Sequence, residues 1–167
     1  MSLSTKQLEE RMTATREHFH SHCVVCNQPA SLGGDLRFRV CEDGSVEASF
    51  AYGPKFQGYQ GILHGGVIAC ILDSAMTNCL FAHGKAALTR ELSVHYLHPA
   101  RTDLLATVKA WQRRSFGPLS VLEARLTQNG HALARAIGKF MRRAAAESSS
   151  PCAENSDENV IKTGKEV

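Results

Sequence analysis

The apolar positions of residues 4–20 recur at the spacing of an amphipathic helix, with Leu8, Met12 and Phe19 roughly on one face. Ser4 and Gln7 have the spacing of a capping box, in which two side chains satisfy backbone N–H groups at a helix start. The pattern predicts a helix over residues 4–20 that packs across the edge of the domain.

From Leu36 onward the pattern changes to a period of two, which is typical of a strand with one buried face. Residues 36–40 and 46–50 both alternate in this way, and Asp43-Gly44 between them predicts a hairpin turn. Four further strand-like segments follow later in the chain, at residues 86–97, 103–113, 119–128 and 131–142. Asn129-Gly130 joins the last two segments and is a strong hairpin signal, so the sheet is expected to be mostly antiparallel.

The middle of the chain contains a glycine-rich loop followed by an apolar helix. The loop spans residues 53–66 and holds five glycines, which suit a backbone that bends or approaches a ligand closely. Residues 67–82 are apolar on most sides, which predicts a buried helix. One buried helix and about six strands satisfy each other in an α+β fold, with the antiparallel sheet wrapped around the long central helix.

The length of 167 residues suits one domain. We expect an N-terminal helix within residues 1–22, the domain over residues 23–143, and a disordered tail over residues 144–167, which is polar and lacks periodicity. The net charge is +3; the tail carries five acids and two lysines, so the body carries +6. A mildly basic body suits an anionic ligand, whereas scattered arginines without a nucleic-acid motif argue against nucleic acid.

Cysteine usage and hydropathy predict a soluble cytoplasmic protein that does not act on a membrane. The six cysteines are too few and too irregularly spaced for a disulfide scaffold, so reduced thiols are expected. No run approaches the ~20 apolar residues of a membrane span, and Met1-Ser2-Leu3-Ser4 lacks the features of a signal peptide.

Gly65 and Gly66 precede the buried helix and point to an oxyanion site, because a ligand atom can reach backbone N–H groups that have no partner within the helix. The alternative is that they only allow tight packing. Asp73 lies near the middle of the same helix, where an unpaired carboxylate costs several kcal/mol. It is therefore either satisfied by a hydroxyl such as that of Thr77 or used in chemistry.

Gly65 and Asp73 are eight residues apart, which separates them by about 12 Å along a helix. One carbonyl group cannot contact both groups of the same chain. The simplest arrangement that places an oxyanion donor and an acid/base beside one atom takes each from a different subunit of a two-fold dimer.

A specific family resemblance is carried by the residues around the helix start and by the strand after it. The sequence resembles the hotdog-fold acyl-CoA thioesterases of the phenylacetic-acid-degradation type over roughly residues 20–143. The matching positions are Gly58-Tyr59-Gln60-Gly61-Ile62-Leu63, His64-Gly65-Gly66, Asp73 after six further residues, Thr89, and Leu92-Ser93-Val94-His95-Tyr96-Leu97-His98-Pro99. The resemblance implies a hotdog fold, hydrolysis of an acyl- or aryl-CoA without metal or cofactor, and a homodimer or dimer of dimers.

By this resemblance Asp73 is the general base or nucleophile, the Gly65 N–H polarises the thioester carbonyl with Gly66 nearby, and Thr89 helps to place the water. The sequence departs from some relatives at Gly58, where they carry a polar side chain. The neighbouring Gln57 is the candidate to replace it.

His64 is a weaker candidate base, because nine residues at ~100° each place it opposite Asp73 on a helix. We expect it to shape the loop by hydrogen bonding and to border the substrate.

Two further clusters have both a functional and a structural interpretation. Arg113 and Arg114, before the turn at residues 116–118, have the chemistry to bind the phosphates of coenzyme A, or else are solvated at the sheet rim. Cys23-x-x-Cys26 with His18 or His22 has the spacing of half a zinc site. No second Cys-x-x-Cys follows in the sequence, and a structural lead-in to the sheet is the preferred interpretation.

Three functions fit these features. The first is hydrolysis of an acyl-CoA thioester. The second is a non-catalytic acyl-CoA-binding protein on the same fold, which would not need a carboxylate beside the thioester. The third is a hydratase or dehydratase, in which a histidine usually pairs with an acid across the site. Glycines at a helix start together with a mid-helix aspartate favour hydrolysis.

Overall fold

The computed structural model describes residues 3–25 and 36–142. The elements in chain order are α1 (Thr5–His20), β1 (Arg39–Val40), β2 (Val46–Phe50), a 3-10 turn (Pro54–Phe56), β3 (Gln57–Tyr59), β4 (Ile62–Leu63), α2 (Gly65–Ala82), β5 (Ala87–Tyr96), β6 (Ala106–Phe116), β7 (Leu119–Gln128) and β8 (His131–Arg142). The predicted tail lies outside the described residues, as does Cys26.

Six strands form one antiparallel sheet in the order β1-β2-β6-β7-β8-β5, which confirms the predicted α+β class. β7 and β8 form the predicted hairpin at Asn129-Gly130, where φ is 49° and 78°. Two consecutive positive φ values match the right-handed twist of the flanking strands. β5 lies at the edge of the sheet and pairs only with β8 among the described strands.

The sheet curves around α2, whose fully buried side chains fill the core. Ile71, Leu72, Met76 and Leu80 of the helix are inaccessible to solvent, and the sheet contributes the buried side chains Val46, Val108, Leu122, Leu126 and Phe140. By length and hydropathy alone α2 is apolar enough to span a membrane, but 67% of it is buried inside this fold. We call the face of the sheet against α2 the inner face and the opposite one the outer face.

α1 begins with the predicted capping box between Ser4 and Gln7. Met12 is buried as predicted, but Phe19 is 45% exposed, so its assignment to the packing face was wrong. The reason is that α1 meets α2 along its i, i+4 row, which is inclined to the helix axis. That row reaches His20, whose ring lies 5.4 Å from the ring of Phe81 in α2.

The segment predicted as a loop over residues 53–66 contains more structure than expected. A 3-10 turn is followed by the short antiparallel pair β3–β4, which turns at Gly61 with φ 71°. α2 also begins at Gly65 rather than at residue 67. Both differences arise because glycine gives no periodic signal, although its backbone hydrogen-bonds like that of any other residue.

Candidate active site

The start of α2 is held by the side chain that precedes it. His64 is the N-cap residue, and its Nδ1 accepts a hydrogen bond from the Gly66 N–H at 2.9 Å. The imidazole thus satisfies one of the N–H groups that a helix start leaves without a partner. This is the loop-shaping role predicted for His64.

Because the Gly66 N–H donates to His64, it is not available to a ligand. The Gly65 N–H is the next candidate donor at the helix start. Among the hydrogen bonds of the described residues, none uses the Gly65 N–H. The Gly65 carbonyl accepts a hydrogen bond of 2.9 Å from the Tyr96 hydroxyl at the end of β5. Of the two glycines predicted to form an oxyanion site, Gly65 is therefore the one whose N–H has no partner among the described hydrogen bonds.

Asp73 lies two turns further along α2 and is satisfied by a hydroxyl from the sheet. Thr89 of β5 donates a hydrogen bond of 2.9 Å to Asp73 Oδ1, in place of the Thr77 considered from the sequence. Burial raises the pKa of Asp73 above its usual value, and the Thr89 bond and the nearby His20 oppose this rise. A carboxylate with a raised pKa accepts a proton more readily, which suits a general base.

His20 and Cys70 lie near enough to Asp73 to interact with it electrostatically. The sequence analysis did not predict either neighbour. Burial lowers the pKa of His20, against the attraction of Asp73. Burial, followed by the charge of Asp73, raises the pKa of the Cys70 thiol, which keeps this thiol protonated. Cys70 precedes Asp73 by three residues on α2, a spacing that places both on one face of the helix. The approach of His20 depends instead on how α1 crosses α2, which a periodic pattern does not encode.

Thr89 and Tyr96 reach the same inner face of β5 although one position is odd and the other even. A β-bulge between Thr89 and Glu91 shifts the alternation, so that Thr89 pairs with Phe140 and Tyr96 with Ala134, both of which are buried. The sequence identified Thr89 only through the family resemblance, and it gave Tyr96 no role. The signal for Tyr96 was its regular alternation with Leu92 and Val94, which puts it on their face of the strand, whereas the bulge concealed that Thr89 shares this face.

Gln57 and Gly58 lie in β3 beside the helix start. Gln57 Oε1 accepts a hydrogen bond of 3.0 Å from the Gly61 N–H and so holds the β3–β4 turn. A Cβ built on Gly58 would lie 3.1 Å from the His64 ring, closer than side chains normally approach. Glycine at this position therefore makes room for His64, and the predicted contact of Gln57 with substrate stays a prediction.

Arg113 and Arg114 both lie on the outer face, because a β-bulge between Gln112 and Arg114 brings them to one side of β6. Arg113 Nη1 lies 3.5 Å from Glu123 Oε2, and both arginines are exposed. The sheet thus separates them from α2. Their proposed contact with coenzyme A stays a prediction.

Comparison with known proteins relates part of this chain to a family. The sequence model of the thioesterase superfamily matches residues 60–134, which include α2, β5, β6, β7 and the first four residues of β8. The matched segment is somewhat less than half of the chain. Gly65, Asp73, Thr89 and Tyr96 all lie within it, whereas α1 and β1–β2 lie before it.

A curated relative of this chain is the acyl-coenzyme A thioesterase THEM4 of Bos taurus. It is 32% identical over 62 residues, which are 37% of this chain and 25% of that protein. The matched segment therefore spans a quarter of the length of this relative.

Solved structures of thioesterases share the fold. The PaaI protein of the phenylacetic acid degradation operon of E. coli has a TM-score of 0.70 at 15% identity, with 85% of this chain and 97% of that chain covered. A hypothetical thioesterase with coenzyme A from Streptococcus pneumoniae TIGR4 has a TM-score of 0.63 at 18% identity, with 67% and 91% covered. The predicted hotdog fold is confirmed.

The half zinc site considered from the sequence includes Cys26, which lies outside the described residues. Within residues 3–25 and 36–142, no group of three or more histidine, cysteine or acidic side chains is arranged to hold a metal ion.

Proposed function

We propose that this protein is an acyl-CoA thioesterase that hydrolyses the thioester of an acyl- or aryl-CoA to the free acid and coenzyme A. The observation that carries the proposal is a carboxylate and an N–H on one helix: Asp73 of α2 accepts a hydrogen bond from Thr89 of β5, and the first N–H of α2, that of Gly65, is free to bind an oxyanion. The family match and the coenzyme A thioesterases among the similar proteins support this choice of substrate.

The reaction needs one water molecule and two kinds of protein group. Asp73 removes a proton from water as the water oxygen attacks the thioester carbon. Thr89 holds Oδ1 by a hydrogen bond, which leaves Oδ2 to accept the proton. The carbonyl oxygen becomes negative and accepts a hydrogen bond from the Gly65 N–H, which stabilises the tetrahedral intermediate. The C–S bond then breaks, the acid is released, and the thiolate of coenzyme A takes up the proton.

The direct test is thiol release from a panel of acyl-CoAs, from acetyl to long-chain and aryl substrates. Thioester hydrolysis yields one thiol and one acid for each substrate consumed. If the full chain binds acyl-CoAs but releases no thiol from any of them, the protein is a binding module and the proposal fails.

The active site is proposed to form between two copies of the chain, joined along β5. This ten-residue strand is a free edge of the described sheet, and unpaired edges readily accept a further strand. A two-fold axis near Leu92 and Ser93 sets Thr89 opposite Tyr96 of the partner subunit. Asp73 then approaches Gly65 of the partner subunit, which removes the separation of about 12 Å along one helix.

Mixing two inactive variants tests the shared site. Asp73→Asn lacks the base, and Gly65→Pro lacks the donor. Their heterodimer keeps one intact site if Asp73 and Gly65 come from different chains, and no intact site if they come from the same chain. Co-expression of the two variants is expected to restore about a quarter of wild-type activity, because half of the dimers are mixed and one of the two sites in each mixed dimer is intact. Activity no higher than that of the separate variants would place both groups in one chain.

A dimer of dimers is proposed to form through the outer face. Cross-strand pairing places Leu88, Met141, Leu119 and Phe116 in one row on this face, and Leu88 and Phe116 are 60% and 58% exposed. Exposed apolar rows on a sheet commonly mark an interface.

We further propose that the protein works in the cytoplasm and independently of membranes and nucleic acid. The four described cysteines, Cys23, Cys41, Cys70 and Cys79, are free thiols, which suits a reducing compartment.

A further inference from the structure

We propose that Tyr96 is a positioning residue that aims the oxyanion donor of this enzyme. The inference rests on the proposed thioesterase function. Tyr96 acts on the peptide that follows the donor, because its hydroxyl donates to the Gly65 carbonyl at 2.9 Å. The only proton of the phenol is used in this bond, so it is not available to the substrate.

The Gly65–Gly66 peptide is held at both of its polar groups by side chains from opposite directions. Tyr96, from the sheet, binds its C=O, and His64, from the N-cap, binds its N–H at 2.9 Å. A planar peptide held at both ends has one orientation. Because the Gly65 N–H belongs to the adjacent peptide and shares Cα with the held one, the clamp also fixes the direction of that N–H.

We call the two hydrogen bonds from Tyr96 and His64 the clamp. It is needed here because glycine has the greatest backbone conformational freedom of all residue types. Two consecutive glycines leave the first turn of a helix with extra backbone freedom, and the first N–H groups of a helix have no partner within it. The phenol ring also lies close to Gly65, since a Cβ built there would be 3.5 Å from the ring carbon that bears the hydroxyl, an ordinary van der Waals contact. The ring therefore packs over Gly65 as well as bonding to it.

The clamp predicts a specific kinetic signature. The Gly65 N–H strengthens its bond to the carbonyl oxygen only as negative charge develops, so loss of its alignment lowers kcat more than it raises KM. Tyr96→Phe keeps the ring and removes only the hydroxyl. We expect kcat to fall about tenfold, as small misplacements of a catalytic group do, with KM within about twofold of wild type.

The matched control is Tyr59→Phe, the same chemical change at a side chain that is 83% exposed on β3 and takes part in no described hydrogen bond. Its kcat is expected to equal that of wild type. Both variants should keep their melting temperature within about 4 °C, the shift of one lost hydrogen bond in a chain of this size.

Amide exchange at Gly66 provides a readout that does not depend on activity. In the full chain, loss of the Tyr96 bond is expected to speed exchange of the Gly66 N–H, measured by NMR, while Tyr59→Phe leaves it unchanged.

If Tyr96→Phe retains wild-type kcat and Gly66 exchange, the inference is overturned although the thioesterase function stands. A rise in KM alone also overturns it, since Tyr96 would then contact substrate. If the wild-type chain releases no thiol, the proposed function fails, and the catalytic role of Tyr96 fails with it.

Discussion

Asp73→Asn is expected to lower kcat for acyl-CoA hydrolysis by about 10²–10⁴, the contribution typical of a positioned general base. The substitution keeps the size of the side chain and an oxygen that accepts the bond from Thr89 Oγ1. It removes the group that takes the proton from water. Stopped assays of thiol release under saturating substrate measure kcat, and binding of acyl-CoA to the variant should persist.

The same variant is expected to be more stable than wild type at neutral pH. Burial raises the pKa of Asp73 in the folded state, so ionising it there costs more free energy than in the unfolded chain. Stability from this group is present below the unfolded pKa and is lost as pH rises through the folded pKa. The gain in melting temperature for Asp73→Asn should therefore disappear as the pH falls below the pKa of Asp73.

The matched control for this experiment is Asp103→Asn, which changes an exposed carboxylate paired with Arg101 at 2.6 Å. It should leave kcat unchanged and show no gain in stability at neutral pH. Equal thiol release by wild type and Asp73→Asn contradicts the assignment of Asp73 as the base. The acid limb of the wild-type rate profile should lie above the usual pKa of an aspartate, because protonated Asp73 is inactive.

Gly65→Pro is expected to lower kcat by about 10²–10³, the usual loss when one oxyanion donor is removed. Proline has no N–H, so the substitution deletes the proposed donor. It should leave α2 intact, because Gly65 is the first helical residue, where proline is favoured. His64 before it has φ −63° and ψ 133°, a conformation that a following proline accepts.

Gly65→Ala is the matched control, because it adds a Cβ and keeps the N–H. The new Cβ lies 3.5 Å from the nearest atom of Tyr96, which is ordinary van der Waals contact. This variant should retain activity within a few-fold of wild type, measured in the same assay, whereas Gly65→Pro does not. If both variants lose activity equally, the close approach of substrate to Gly65 matters rather than its N–H. Circular dichroism verifies that the helix content of both is unchanged.

Much of the fold follows from local patterns. The alternation at residues 36–40 and 46–50 predicted the first hairpin, and Asn129-Gly130 predicted the last one. The apolar run after Gly66 predicted the central helix, since a helix that is apolar on most sides is buried on most sides. These features can be predicted from the sequence because backbone geometry fixes the period at which side chains are buried.

The site residues that were identified from the sequence are those whose type is energetically unfavourable at its position unless it has a function. A carboxylate within an apolar helix marked Asp73, and paired glycines at a helix start marked Gly65 and Gly66. The partner of Asp73 was misassigned within the helix, because a hydroxyl one turn away is a local candidate and Thr89 is sixteen residues distant.

The sequence by itself determined the α+β class, the buried helix and the two groups on it that carry the proposed chemistry. Only the tertiary structure decided that Thr89 satisfies Asp73, that His64 occupies the Gly66 N–H, and that Tyr96 bonds to the Gly65 carbonyl. It also decided that Arg113 and Arg114 lie on the outer face of the sheet. The physical reason is that strand register, with its bulges beside Thr89 and Gln112, depends on contacts between distant segments. A shift of one residue reverses the face that a side chain occupies, and no local pattern records it.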